Sequence, residues 1–164
     1  MIAARLAKRC LWLGVCSMAE LNGQCLCGAV TLAFEPADQL SACHCKSCQR
    51  WAGGVFLEID VKPGTLRYEG PVKAYQSSDF AERAWCDQCG STLWYHVTIP
   101  GHDYHSVAAG LVDDAGGLQM KLEIYVDDKP GGFALAGDHP RETKAEHEAK
   151  RAAFLERVGL GTPG

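Results

Sequence analysis

The chain has 164 residues, 22% of them charged, with 16 Lys and Arg against 20 Asp and Glu and a formal net charge of −4. That length makes one domain and buries about 70% of the unfolded chain's surface, so a small core does not by itself demand a metal or disulfide staple. The charge balance lacks the basic excess that phosphate backbones attract, which argues against nucleic acid, and no apolar run approaches the roughly 20 residues of a membrane span.

In chain order, Arg5, Lys8 and Arg9 precede a short apolar run over 10–15. The run is short for a secretory core, no small-residue cleavage site follows it, and Val15 before Cys16 is a poor lipid-attachment context. Met18 opens the stretch that leads to the first cysteine pair, so 1–17 reads as an N-terminal extension from a misassigned start, with Cys10 and Cys16 outside the functional set. Residues 18–140 then form one domain and 141–164 a helical tail.

Val30, Leu32 and Phe34 alternate with Ala29, Thr31 and Ala33, a half-buried strand that Pro36-Ala37-Asp38 is expected to end. Similar runs follow over 55–61, 65–68, 72–77, 80–85, 92–97, 105–109 and 119–126, separated by Pro- and Gly-containing turns such as Lys62-Pro63-Gly64 and Ile99-Pro100-Gly101. Many short strands between turns predict a mainly β fold of small antiparallel sheets in a sandwich-like arrangement. Over 142–158, Ala145, Ala149, Ala152 and Leu155 recur at helical spacing and predict one C-terminal α-helix, packed internally or against a second copy in a homo-oligomer.

The chemistry lies in the cysteines. Of nine, seven fall in three clusters: Cys25-Leu26-Cys27, Cys43-His44-Cys45-Lys46-Ser47-Cys48 and Cys86-Asp87-Gln88-Cys89. Such spacings, with an odd total, fit reduced thiolates on zinc in a cytoplasmic protein better than a secreted disulfide framework. Seven ligands make one closed four-thiolate site and one three-thiolate site with an open position, where chemistry can occur. Spacing alone does not choose the partition: a ribbon pairing Cys45 and Cys48 with Cys86 and Cys89 is equally good arithmetic.

In extended chain, residues two apart share a face, so Cys25 can act with Cys27 and Cys43 with Cys45, while a turn through Lys46-Ser47 brings Cys48 around. His44 then points away and suits a supporting or packing role. Gly28 and Gly90, each just past a cysteine pair, can take positive φ and let backbone N–H groups turn toward sulfur. Trp51, Trp85, Trp94 and Tyr95 read as packing residues, and His96, His102, His105 and His139 receive no catalytic role.

Three segments, 23–30 (Gly-Gln-Cys-Leu-Cys-Gly-Ala-Val), 43–53 (Cys-His-Cys-Lys-Ser-Cys-Gln-Arg-Trp-Ala-Gly) and 80–93 (Phe-Ala-Glu-Arg-Ala-Trp-Cys-Asp-Gln-Cys-Gly-Ser-Thr-Leu), carry a more specific signal. With them, and with 107–114 and 124–130, the chain resembles the glutathione-dependent formaldehyde-activating enzymes and the related centromere protein V group over about 21–140. The resemblance implies a zinc-pinned beta-tent of small sheets and two Zn²⁺ per chain. Cys25, Cys27, Cys86 and Cys89 would hold a structural ion, and Cys43, Cys45 and Cys48 a second, catalytic one.

It further implies a carbon–sulfur lyase or synthase that joins glutathione and formaldehyde as S-hydroxymethylglutathione. Three thiolates leave Zn²⁺ a weak Lewis acid for water but a good seat for a substrate thiol. Arg50, with Gln49 and Lys46, is the candidate partner for a glutathione carboxylate. The stretch Gly131-Gly132-Phe133 departs from the bulkier aromatic segment of many relatives. Competing readings are a non-catalytic zinc module presenting an interaction surface, and a thiolate sensor of oxidants or electrophiles.

Overall fold

The computed structural model describes residues 19–115 and 117–160, so the N-terminal extension expected over 1–17 lies outside the described residues. The first hairpin pairs β1 (Leu21–Gln24) with β2 (Thr31–Phe34), and β5 (Arg67–Glu69) adds to β2, giving a three-stranded antiparallel sheet. The alternation read at Val30, Leu32 and Phe34 is realised: all three are buried, in one core with Ile59, Val61, Trp94 and Val107 of the second sheet. A sheet packed on a sheet is what alternating apolar positions produce.

The second sheet has eight strands in the order β11-β10-β3-β4-β9-β8-β7-β6. They are β3 (Pro36–Cys43), β4 (Phe56–Val61), β6 (Val72–Ser78), β7 (Ala81–Cys86), β8 (Thr92–Val97), β9 (Tyr104–Ala108), β10 (Met120–Ile124) and β11 (Arg141–Glu142). Its centre is antiparallel, but β10 pairs with both β3 and β11 in parallel. The fold is thus mainly β, with a small antiparallel sheet and a larger mixed one.

One local expectation holds and one is refined. As expected, the first run breaks at the proline: β2 ends at Phe34, and Pro36 begins β3 in the second sheet, where it pairs with Val61 ahead of a register shift that runs to Leu40; the first position of a strand tolerates the missing N–H. The turn read at Lys46-Ser47 is the start of a helix, α1 (Lys46–Ala52). Cys45 caps it by accepting the Cys48 N–H on sulfur, and Gly53, at φ 76°, ends it in the left-handed conformation.

The tail helix, α2 (Lys144–Arg157), begins at a capping box in which Thr143 and Glu146 satisfy each other's backbone N–H groups. Arg151 donates to the Tyr125 hydroxyl at 3.0 Å, and Leu155 packs with Val97 and Ile99. The helix therefore docks on its own chain, over the large sheet. No helix among the described residues is long and apolar enough to cross a membrane.

Candidate metal centres and active site

The first and third cysteine clusters meet although 59 residues separate Cys27 from Cys86. The sulfurs of Cys25, Cys27, Cys86 and Cys89 all lie within 4.8 Å of one another. Two similar turns deliver them. The Cys25 N–H bonds the Val30 carbonyl and the Cys86 N–H the Ser91 carbonyl, while Gly28 and Gly90 sit at φ 75° and 74° and bond back to the Cys25 and Cys86 carbonyls. Cys25 and Cys27 converge through this tight turn rather than through an extended strand.

These cysteines are free thiols. Sγ–Sγ distances of 3.5 Å for Cys25–Cys27 and 3.9 Å for Cys27–Cys86 are far beyond a disulfide. They fit the edge of about 3.8 Å that Zn–S bonds of about 2.3 Å give a tetrahedron. The Val30 N–H donates to Cys25 Sγ at 3.2 Å, an orientation that suits a thiolate. The donor set and its spacing therefore suit one zinc ion.

The second set is local in sequence. Cys43 ends β3, Cys45 caps α1 and Cys48 lies in its first turn, with all three sulfurs mutually within 4.8 Å. Hydrogen bonds from the thiols of Cys43 and Cys48 hold Cys45 well below the ordinary thiol range, and Cys43 is correspondingly pushed up. Three convergent sulfurs that already share negative charge suit a soft divalent ion.

His44, between two of them, is fully buried and turned to Glu123 on β10, Nε2 to Oε1 at 2.8 Å. His139 Nε2 and Arg141 Nε meet the other carboxylate oxygen at 3.0 Å each. Burial would raise the Glu123 carboxyl, but the bonds from His139 and His44, with Lys129 and Arg141, hold it down to about 2. His139, unassigned from sequence, belongs to this buried network.

Cys43, Cys45 and Cys48 line a cavity of about 830 Å³ between the large sheet and α2; none of the other four clustered cysteines does. Its walls include Leu122, Ile124, Tyr125 and Phe154, and its polar groups include Glu58, Asp60, Arg83 and Tyr104. Arg83 reaches from β7 to place Nη2 3.7 Å from Cys48 Sγ, donates to the Ser77 hydroxyl, and lies over the Trp51 and Tyr95 rings. Sequence reading passed over Arg83 and Glu58; the available signal was charge inside strands, Arg83 between Ala81 and Trp85 on one face of β7, and Glu58 with Asp60 on one face of β4.

The three residues expected to bind substrate lie elsewhere on α1. Lys46 donates to the Asp128 carbonyl at 2.9 Å, Gln49 donates to the carbonyls of His44 and Asp128, and Arg50 is exposed. None of them is among the residues lining the cavity.

Two sheets joined by a four-sulfur cluster, with a three-sulfur cluster opening on a cavity, define a β protein with two cysteine clusters that could each hold a metal ion. Residues 20–128 match the sequence profile of the family described as glutathione-dependent formaldehyde-activating enzyme, and the chain belongs to that family. It is 34% identical over 122 residues to an uncharacterized lyase of Schizosaccharomyces pombe, covering 73% of this chain and 88% of the relative. A Halomonas elongata protein named for the same formaldehyde-activating activity is 24% identical over 149 residues, covering 79% and 95%. A crystal structure of a Rhodobacter sphaeroides protein superposes with a TM-score of 0.47 at 20% identity, covering 73% of this chain and 98% of that one.

Proposed function

We propose that this chain is a zinc-dependent carbon–sulfur lyase that forms and cleaves the hydroxymethyl adduct of a thiol, with glutathione as the thiol and formaldehyde as the aldehyde. Cys25, Cys27, Cys86 and Cys89 hold a structural ion, and Cys43, Cys45 and Cys48 hold the ion of the active site. When bound there, zinc supplies a seat on which a thiol is kept ionised at neutral pH. The observation that carries this reading is that the three-sulfur set faces the cavity while the four-sulfur set does not.

The chain's own residues supply the rest. Leu122, Ile124, Tyr125 and Phe154 limit water in the cavity, so that the reactants meet at high effective concentration. The Arg83 guanidinium beside Cys48 offsets the negative charge that gathers as thiolates collect. Arg50 is the proposed partner of a glutathione carboxylate extending beyond the cavity, while Lys46 and Gln49 tie α1 to the Asp128 carbonyl. The lyase and formaldehyde-activating names of the relatives support the reaction class.

Zinc per chain, measured together with NMR exchange of labelled formaldehyde into the glutathione adduct, tests the proposal against the uncatalysed rate in buffer. The expectation is two ions and accelerated exchange for the wild type, and one ion without acceleration for Cys48→Ser. One ion throughout with no acceleration supports a non-catalytic zinc module instead.

A further inference from the structure

Glu58 and Asp60 lie two apart on β4 and both face the cavity, as do Ser41 and Cys43 on the neighbouring β3, where Ser41 stands directly opposite Glu58. Asp60 is well partnered: Tyr104 Oη donates to its Oδ1 at 2.8 Å and Ser106 Oγ at 3.1 Å. Glu58 shares the Ser106 hydroxyl but has no cation bonded to it among the described residues. It is a buried carboxyl lining the same cavity as three thiols, an arrangement that packing alone does not reward.

Loss of solvent, reinforced by the charges of Asp60 and Cys45, pushes the Glu58 carboxyl up to about 8, against the Ser106 hydrogen bond and the Arg83 charge. Besides the three cysteines and Asp60, the other titratable or charged groups lining the cavity include Tyr95 on β8, Tyr104 on β9, Asp103, His102, and His147, Lys150 and Arg151 on α2. Loss of solvent pushes both tyrosines above the ordinary phenol range, and His147 is bonded to Glu142. Glu58 is thus a buried carboxyl beside the three sulfurs that can stand as a neutral acid near neutral pH and still release its proton.

We propose that Glu58 is the catalytic acid and base for the hydroxymethyl oxygen, an inference that rests on the carbon–sulfur lyase reading. In formation, a sulfur lone pair of the thiolate makes the C–S bond, the π pair of the aldehyde carbonyl moves to oxygen, and the Glu58 carboxyl proton passes to that oxygen. The proton lost by the thiol on ionising returns to the Glu58 carboxylate, leaving the sum RSH + H₂C=O → RSCH₂OH. In cleavage, the carboxylate removes the hydroxyl proton as the C–S bond breaks toward sulfur.

The test compares wild type and Glu58→Gln, which keeps the shape and can still accept from Ser106, as zinc-loaded protein with glutathione and formaldehyde. We expect wild-type zinc content and thiol affinity in the variant, with a rate about 10²-fold lower or more. In the wild type at saturating thiol, formation falls as pH rises through the Glu58 titration, because the acid form is consumed, whereas cleavage rises across the same interval. The variant loses both limbs. Independently of turnover, the wild-type minus variant infrared difference at pH 7 should contain the carbonyl band of a neutral carboxylic acid.

A Glu58→Gln rate and pH profile equal to wild type, or no such infrared band, overturns the assignment while leaving the lyase reading intact. A wild type that accelerates no thiol–aldehyde exchange sinks the lyase reading, and this inference with it. If Glu58→Gln fails to hold zinc or to fold, Glu58→Asp decides: it keeps a carboxylic acid, so retained pH limbs at reduced rate support the role and a flat profile overturns it.

Discussion

Glu123 on β10 and His44, inside the middle cysteine cluster, face each other at 2.8 Å with neither side chain reaching solvent. The parallel pairing of β10 with β3, which sets Glu123 beside Ala42 and Ile124 beside Cys43, makes that meeting possible. One carboxylate therefore ties the cysteine loop to His139 and Arg141 on the far side of β10.

Glu123→Ala leaves two buried histidines and a guanidinium without their acceptor and should cost about 3–5 kcal/mol. A urea titration would read this as a lower midpoint at unchanged slope. Zinc affinity at the three-cysteine site should fall about 10–100-fold, since His44 no longer holds the Cys43–Cys45 turn. Because the folded carboxyl is held down to about 2, its stabilisation is complete above its unfolded value of about 4.5 and fades as pH falls from there toward 2.

The sign reverses at Glu58. Its folded value is raised to about 8, so its favourable contribution is complete below about 4.5 and is lost as pH rises toward 8. Stability of the wild type relative to Glu58→Gln should drop by up to about 1.4 kcal/mol per pH unit across that window. Paired melting curves from pH 6 to pH 8 check this, and parallel curves would remove the claim that the buried carboxyl is neutral.

The two cysteine sets should respond differently to metal loss. Cys86→Ala removes one of the four proposed zinc ligands that would join the sheets, and the structure should lose its cooperative melting transition, since a closed four-thiolate zinc site contributes on the order of 10 kcal/mol. Cys48→Ser should keep the fold and lose one zinc. Circular dichroism during stepwise chelation should show a first ion leaving with little change and a second leaving with unfolding.

Gly70 sits at φ 107° in the turn between β5 and β6, and a Cβ there would lie 2.0 Å from the Ala29 carbonyl oxygen. Backbone cannot yield as a flexible side chain would, so Gly70→Ala should cost about 2–4 kcal/mol through strain and displacement of the first cysteine turn. Gly54, which has nothing within 4 Å of an added Cβ, is the matched control, and Gly54→Ala should be within about 0.5 kcal/mol of wild type.

Much of the framework was legible because it is local. The alternation at Val30, Leu32 and Phe34 and the helical spacing of Ala145, Ala149, Ala152 and Leu155 are periodicities of the chain itself, and β2 and α2 follow them. The strand that Pro36 opens and the helix α1 were missed for equally local reasons. A proline signals a break without showing that it also opens the next strand, and a seven-residue helix capped by a cysteine has too few residues to display a period.

By itself, the sequence determined that this is a cysteine-clustered, mainly β chain, and its motifs carried a family resemblance that the profile match bears out. Only the tertiary structure decided which clusters meet, because nothing in the spacing states that Cys27 lies 3.9 Å from Cys86. It also decided that the remaining three sulfurs share a cavity with Arg83 and Glu58. Those side chains come from separate strands, and their convergence depends on strand order and register, which long-range burial sets and no short window of residues encodes.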